Sequence, residues 1–363
     1  MKASLDALCL IHLGISHRDQ RLLDEGRRVH CAALRLVRED IEKPDAISND
    51  SILGACYTIA HCQIYQEISQ LGKGWQIHME GLYYLLRRRG AASISSPFAQ
   101  AIFHNVRQIG VMHQLVNRKK TFLSSAQWLS SRNEKQQPAF QITNIALKVS
   151  ELLEDIEFLA AQIKDTDTCP STDLQGVLCR KRGLENALNQ WLLDFNNALG
   201  SGGSPVILTS ISSYPCFEEL CGDDGVLIPE VYEFPSLLSA TCHCYVWICL
   251  LAMQKPFASL LQQLTSSHRG LRLAMFAQDP EEYATHLMRS LAFISLQKHK
   301  SAGILACSGP LYWAETWYEY REDVDMVRFC QRLRESLSQQ SSTSLDLRHP
   351  CFTWWMLPSI FVQ

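Results

Sequence analysis

The stretch GKGWQIHMEGLYYLLRRRG, residues 72–90, has the spacing of a helix with one apolar face. Its large apolar residues recur at intervals of four, three and four positions, which bring side chains to one side of an α-helix. These residues are Trp75, Met79, Leu82 and Leu86. Gly90 follows three arginines, and that combination is typical of a helix C-terminus. The stretch therefore predicts an amphipathic helix that ends at Gly90.

The same spacing recurs in three later parts of the chain. The apolar positions are Ile145, Val149, Leu152, Ile156 and Leu159; Leu184, Leu188, Trp191, Phe195 and Leu199; and Met326, Cys330, Leu333 and Leu337. Strand patterns are scarce. Val206–Thr209 is a candidate strand, but no nearby segment alternates convincingly enough to pair with it. No repeat of about 33 to 45 residues is present. We predict an all-α fold, a large irregular multi-helix bundle of about ten to fourteen helices with no regular solenoid.

Domain organisation follows from the distribution of loop-forming residues. Residues 165–176 and 200–231 are richest in Gly, Pro, Asp, Ser and Thr, and 131–138 is a further polar stretch. We interpret these as loops inside one helical domain over 1–340. Residues 341–363 are predicted to form a C-terminal tail.

Composition and charge place the chain among folded proteins without a strongly basic field. Of its 363 residues, 47% are apolar and 20% charged, which excludes disorder over most of the length. Lys and Arg total 34 against 37 Asp and Glu, so the formal charge is −3. Basic residues cluster in short runs: 87–89, 118–120, 180–182 and 298–300. Such runs are too short to predict nucleic-acid binding, although Arg180-Lys181-Arg182 equally fits a minimal nuclear-import patch.

The fourteen cysteines show no C-x-x-C spacing. The tightest group is CHCYVWIC, with Cys242, Cys244 and Cys249. One interpretation is a metal site that uses Cys242, Cys244 and a distant partner; the favoured one is packing of small apolar thiols in a core helix. Residues 234–254 lack Asp, Glu, Lys and Arg, and a buried central helix explains this better than a membrane span. The N-terminus lacks the design of a signal peptide, which favours a reducing, intracellular compartment.

Compact catalytic signatures are missing from the sequence. It contains no phosphate-binding loop of the G-x-x-x-x-G-K-[ST] type, no H-E-x-x-H and no G-x-S-x-G. His61 shares a helical face with Tyr57, which is typical of a hydrogen-bonded helix side chain rather than a ligand. We therefore predict no enzyme, no cofactor and no catalytic or metal site. The alternative from this class is an enzyme or metal protein that uses the region Cys242–Cys249.

Residues 72–90 also resemble a known family. The motif W-x-x-H-x-x-G-x-x-x-L-[LI]-x-x-[RK]-G of the fungal-specific transcription factor domain is matched by Trp75, His78, Gly81, Leu85, Leu86, Arg89 and Gly90. We call these seven residues the signature. The resemblance covers roughly 1–340 and implies the helical regulatory region that follows a binuclear zinc cluster of the Zn2Cys6 type. We expect the signature to maintain the fold, with Trp75 and Leu82 facing a core and Gly81 admitting a neighbouring helix.

The resemblance implies a nuclear regulator of transcription that controls fungal metabolic or secondary-metabolite genes. The six-cysteine zinc cluster does not occur in this sequence, so direct DNA binding by this chain is not expected. Two versions remain open: a regulator that pairs with a DNA-binding protein, or a chain whose zinc cluster was lost or lies outside the given reading frame. The implied partners are a DNA-binding or co-regulator protein, a small-molecule effector and a second copy of the chain, with no membrane. A helical interaction scaffold without a transcriptional role is the alternative.

Overall fold

The computed structural model describes residues 1–66, 73–129, 138–166, 171–198, 206–221, 227–263 and 280–340. Fourteen α-helices lie in these ranges: α1 (Lys2–His17), α2 (Gln20–Ile41), α3 (Asp50–Gln66), α4 (Lys73–Arg89), α5 (Pro97–Asn117), α6 (Ala126–Leu129), α7 (Pro138–Thr166), α8 (Ser171–Ala198), α9 (Pro215–Cys221), α10 (Leu237–Ala252), α11 (Gln254–Gln263), α12 (Pro280–Ile294), α13 (Lys300–Arg321) and α14 (Val324–Gln340). For the described residues this confirms the predicted all-α class, the irregular arrangement and the number of helices.

The chain divides into two compact units. Among the described residues, unit 1 comprises those of Met1–Ile109 with the end of α14 from Leu337, and unit 2 comprises those of Gly110–Ser336. The expectation of one domain over 1–340 stays a prediction. The predicted tail, 341–363, and residues 131–137 of the predicted loop 131–138 lie outside the described residues.

Unit 1 is built on a close crossing of α1 and α2. A Cβ added at Gly26 would lie 2.7 Å from the Ile11 side chain and 3.1 Å from its backbone nitrogen. A Cβ at Gly14 would lie 2.9 Å from the backbone nitrogen of Leu23, so glycine is required on both sides of the crossing. α3 packs against α1, α2 and α4. The core between α1 and α3 includes Ala7, Ile11, Ile15 and Cys62.

Unit 2 is built around α10. This helix packs against α7, α8, α11, α12 and α13, and 14 of its 16 residues are buried. The segment Leu237–Gln263 is long and apolar enough to cross a membrane, with a mean hydropathy of 1.5 in its best window, but 89% of that window is buried inside the protein. Burial on all sides is typical of a core helix. The favoured interpretation of this segment is therefore confirmed.

The structure differs from the sequence prediction in a small two-stranded sheet and in the first residue of α8. β1 (Ile207–Ser210) pairs antiparallel with β2 (Glu230–Glu233), so that Ile207 lies opposite Glu233. The partner strand was missed because it is four residues long and two of its residues are glutamates. The predicted loop 200–231 thus contains β1, α9 and the start of β2. The predicted loop 165–176 is shorter than expected, because α8 begins at Ser171.

Candidate functional site

The signature lies on α4, which buries one stripe of side chains in unit 1. Met79 is 3% exposed, and Leu82 and Leu86 are fully buried, as their spacing predicts. Leu85 is buried next to them, whereas Ile77 and Tyr84 on the outer side are each 66% exposed. The side chain of Trp75 lies outside the described residues. α4 is therefore amphipathic, with its apolar stripe turned inward.

The two glycines of the signature have different surroundings. A Cβ at Gly81 would meet no atom within 4 Å, and the residue is exposed. The prediction that Gly81 admits a neighbouring helix is therefore wrong, since no described part of the chain approaches it there. Gly90 ends α4 with φ 79° and ψ 150°, a region that only glycine adopts readily. Its predicted place at the helix C-terminus is confirmed.

The signature histidine lies near a second histidine of unit 1. His78 is half-buried, and His30 of α2 is buried. Burial lowers the pKa of His30, and the charge of a protonated His78 lowers it further. Among the described residues no group of three or more His, Cys, Asp or Glu side chains is placed to hold a metal ion. His30 thus has the environment of a neutral, structural side chain.

The signature arginine joins the end of α4 to the start of α3 and to the segment before α5. The guanidinium of Arg89, only 5% exposed, donates a hydrogen bond and forms an ion pair with the carboxylate of Asp50, the first residue of α3. It also donates to the carbonyl of Ser93 at 3.3 Å. The sequence interpretation, in which the macrodipole of α4 accounts for Arg87, Arg88 and Arg89 alike, applies to the two exposed arginines but misses this contact.

The same carboxylate also reaches the start of α5. Ser96 Oγ donates to Asp50 and accepts a hydrogen bond from the backbone N–H of Ala99 at 3.0 Å, so Ser96 is the predicted N-cap before Pro97. The hydrogen bond from Ser96, followed by that from Arg89, holds the pKa of Asp50 below its ordinary value. The ends of α3, α4 and α5 therefore meet at one carboxylate. No position in the sequence pattern pointed to Asp50.

The cysteine-rich segment lies in the core of unit 2. Cys242, Cys244 and Cys249 are at most 2% exposed, and burial raises the pKa of Cys244 to about 12. His243 between them has its Nδ1 2.8 Å from the carbonyl oxygen of Ser239, a local helix contact. Core packing is therefore confirmed for these thiols. Core packing does not extend to every cysteine, because Cys9, Cys31, Cys179 and Cys216 are exposed.

His61 behaves as its spacing predicts. Its Nδ1 lies 2.9 Å from the Tyr57 carbonyl oxygen, where a protonated Nδ1 donates, and the two rings lie 4.2 Å apart. Burial lowers the pKa of His61 to about 4, so the ring is neutral at pH 7.

The basic clusters of unit 2 are largely occupied by local contacts. Lys181 is buried, pairs with Glu185 and lies 5.1 Å from the centre of the Phe257 ring. The triplet 180–182 therefore does not expose three cations, which removes the basis for a minimal import patch. Arg118 and Lys120 pair with glutamates of α7. These cations do not form an open basic surface of the kind that phosphate contacts need.

Comparison with protein families gives one match. The model of the family described as fungal specific transcription factor domain matches residues 3–199. The match includes α1 to α8 and the whole signature, and it covers more than half of the chain. It is shorter than the expected resemblance over 1–340, because α9 to α14 lie beyond it. Comparison with curated proteins and with solved structures gives no match.

Proposed function

Because the chain belongs to the fungal specific transcription factor domain family, we propose that it regulates fungal metabolic or secondary-metabolite genes. Membership makes it a transcription regulator in general terms, in a family that is generally non-enzymatic and nuclear. The family match over 3–199 is the observation that carries this proposal. The metabolic gene set is the finer part of the proposal.

We further propose that the chain acts through protein contacts rather than through its own contacts to DNA. Its formal charge is −3, and Arg118, Lys120, Arg180 and Lys181 of the basic clusters 118–120 and 180–182 pair with carboxylates. A DNA-binding or co-regulator protein would then supply the attachment to promoters. Self-association into a homodimer is part of the same proposal.

Tethering tests the regulatory role. The chain is fused to a heterologous DNA-binding domain, and expression of a reporter is measured in a fungal host together with the location of a fluorescent fusion. We expect nuclear accumulation and a several-fold change in reporter expression. Val246→Asp, at a fully buried position of α10, abolishes the effect, whereas the matched Val324→Asp at a 63% exposed position retains it. A cytoplasmic fusion with no reporter effect at equal expression would favour the scaffold.

Binding to promoter DNA tests the need for a partner. Fluorescence anisotropy with the chain alone should show weak binding that falls steeply as salt is raised, because the binding is electrostatic. Tight, sequence-specific binding at physiological salt would contradict the proposal that another protein supplies the DNA contacts.

A further inference from the structure

The outer side of α4 carries an apolar stripe that the described part of the chain leaves uncovered. Ile77, Gly81, Tyr84 and Arg88 follow one another at helical intervals, so they lie on one side of the helix, opposite the buried Leu82. Ile77 and Tyr84 are each 66% exposed, and no other large apolar residue in the described ranges is more exposed. An ordinary surface helix is polar on its outer side. The outer side of α4 therefore has the composition of a contact surface.

Gly81 lies in the middle of this stripe and leaves a notch in it. No described part of the chain comes within 4 Å of a Cβ added there, so packing inside the chain does not require glycine. Glycine in a helix interior costs about 1 kcal/mol relative to alanine, and one common use of it is the close approach of a second backbone. With Ile77 before it and Tyr84 after it, the notch has the form of a helix crossing for which this chain supplies no partner.

The charges beside the stripe indicate what covers it. Glu80 and Arg87 are exposed and seven positions apart, so they lie along one edge of α4 at a distance of about 10 Å. Within the described ranges neither forms an ion pair. When a second copy of α4 lies antiparallel, this edge runs in the opposite direction and brings the partner's Arg87 towards Glu80. Helical side chains lean towards their own N-terminus, which turns the two side chains towards each other. The edge is therefore complementary to itself when reversed.

We propose that α4 forms the interface of a symmetric homodimer, in which the α4 helices of two copies cross antiparallel at Gly81. Ile77 of each copy then packs against the partner's Tyr84, and Glu80 pairs with the partner's Arg87. A two-fold axis through the crossing repeats each contact, which is why a self-complementary edge favours a second copy over an unrelated protein. This inference rests on the homodimer in the proposed function and names the surface that forms it.

The size of the stripe sets the expected affinity. From Ile77 to Arg88 it spans about 17 Å, and one helix crossing of that length buries less than the roughly 1,200 to 2,000 Å² of a stable specific interface. We therefore expect a reversible dimer with a Kd on the order of 10 to 100 µM. Sedimentation equilibrium of the full chain from about 1 to about 300 µM measures this constant. A monomer at every concentration would overturn the proposal and would leave this face to a different protein.

Variants of the stripe locate the interface. Ile77→Asp and Tyr84→Asp place a charge in the crossing, and each should raise the Kd at least about tenfold. Phe158→Asp on α7, at a 65% exposed position, is the matched control and should keep the wild-type Kd. Gly81→Ala should raise the Kd about tenfold, because the added methyl groups hold the two helices apart, although alanine favours the helix of the single chain. Circular dichroism establishes that the variants are folded. An unchanged Kd in the two aspartate variants of α4, or an equal rise in Phe158→Asp, would overturn the proposal.

Charge reversal tests the antiparallel arrangement. Glu80→Arg and Arg87→Glu each bring like charges together across the interface and should raise the Kd several-fold. The double variant exchanges the two charges and should return the Kd to within about twofold of the wild type. A double variant that is as weak as the single ones would contradict the antiparallel pairing. A dimer that no α4 variant changes overturns this interface but not self-association, and a silent reporter in the tethering experiment leaves the sedimentation results standing. This inference and the proposed function therefore fail separately.

Discussion

Helices α4 and α10 show two ways of building a helix into this protein. α4 buries one stripe, leaves Ile77 and Tyr84 66% exposed, and is joined to its neighbours through Arg89. α10 buries 14 of its 16 residues and lies beyond the family match, which ends at residue 199. The helix that identifies the family is thus not the most buried helix. We infer that α4 depends on polar contacts at its end, whereas α10 depends on packing along its whole length.

The largest expected difference between the two helices concerns packing. Ile248→Ala in α10 removes a fully buried side chain and should lower the free energy of unfolding by about 3 kcal/mol, through lost burial and a cavity. Ile77→Ala in α4, at a 66% exposed position, should change it by less than about 0.5 kcal/mol. Urea unfolding followed by circular dichroism measures both values. Similar losses in the two variants would mean that α4 is packed on both sides.

Histidine protonation should destabilise α10 on mild acidification. Burial lowers the pKa of His243 to about 4, below the ordinary histidine value of about 6.5. The unfolded chain therefore binds the proton first, and the stability from the neutral ring is lost as pH falls from about 6.5 to about 4. In full, this shift corresponds to about 3 kcal/mol. Urea unfolding at several pH values across that range measures the effect. The free energy of unfolding should change less with pH in His243→Gln than in the wild type, whereas His17→Gln, at an exposed histidine, should show the wild-type dependence.

The ion pair of α4 should give the next effect. Arg89→Met leaves the carboxylate of Asp50 without its guanidinium, and we expect a loss of about 2 kcal/mol in the free energy of unfolding. Arg88→Met, at the adjacent exposed position, should change it by less than about 0.5 kcal/mol. The two variants remove the same charge near the same helix end, so the macrodipole cannot explain a difference. Equal losses in urea unfolding would show that the ion pair contributes nothing.

The two signature glycines should respond in opposite directions to alanine. At Gly81 a Cβ meets no atom within 4 Å, so Gly81→Ala should stabilise the helix by about 1 kcal/mol through helix propensity. At Gly90, with φ 79°, alanine would be strained, and Gly90→Ala should destabilise by about 1 kcal/mol or more. Thermal and urea unfolding measure both changes. Destabilisation by Gly81→Ala would show that another surface approaches this position.

Much of the helical architecture could be predicted because the helical spacing of buried apolar residues is visible in the sequence. Met79, Leu82 and Leu86 recur at helical intervals, and Ser96-Pro97 marks the start of α5, so these elements could be predicted. The pairing of β1 with β2 could not, because it joins two four-residue strands about 20 residues apart, and neither strand shows a convincing alternation.

The candidate sites were less accessible to sequence reasoning, because they depend on contacts between distant residues. Asp50 and Arg89 are 39 positions apart, and nothing in the pattern around Asp50 distinguishes it from a helix-starting aspartate. Lys255 and Trp317, 62 positions apart in the sequence, line one small pocket of unit 2, and this relation becomes visible only when α11 and α13 are placed. Gly81 shows the reverse case, since the motif suggested a close contact that the described residues do not make.

The smallest expected effect separates the two helices by the pH at which each loses stability. The pKa of Asp50 is held below its ordinary value of about 3.9 by Ser96 and Arg89, so the folded state binds its proton less readily than the unfolded chain does. The stabilisation from this carboxylate is therefore present above pH 4 and is lost as pH falls further. Because the side chain is 32% exposed, we expect less than about 1 kcal/mol. In Asp50→Asn the free energy of unfolding should fall less steeply with decreasing pH than in the wild type, and only below pH 4. Asp45→Asn, at an exposed aspartate that does not contact Arg89 or Ser96, should keep the pH dependence of the wild type. If the free energy of unfolding of Asp50→Asn already depended less on pH than that of the wild type near pH 6, the group responsible would be a buried histidine and not Asp50. The polar contacts at the end of α4 would then no longer distinguish α4 from α10.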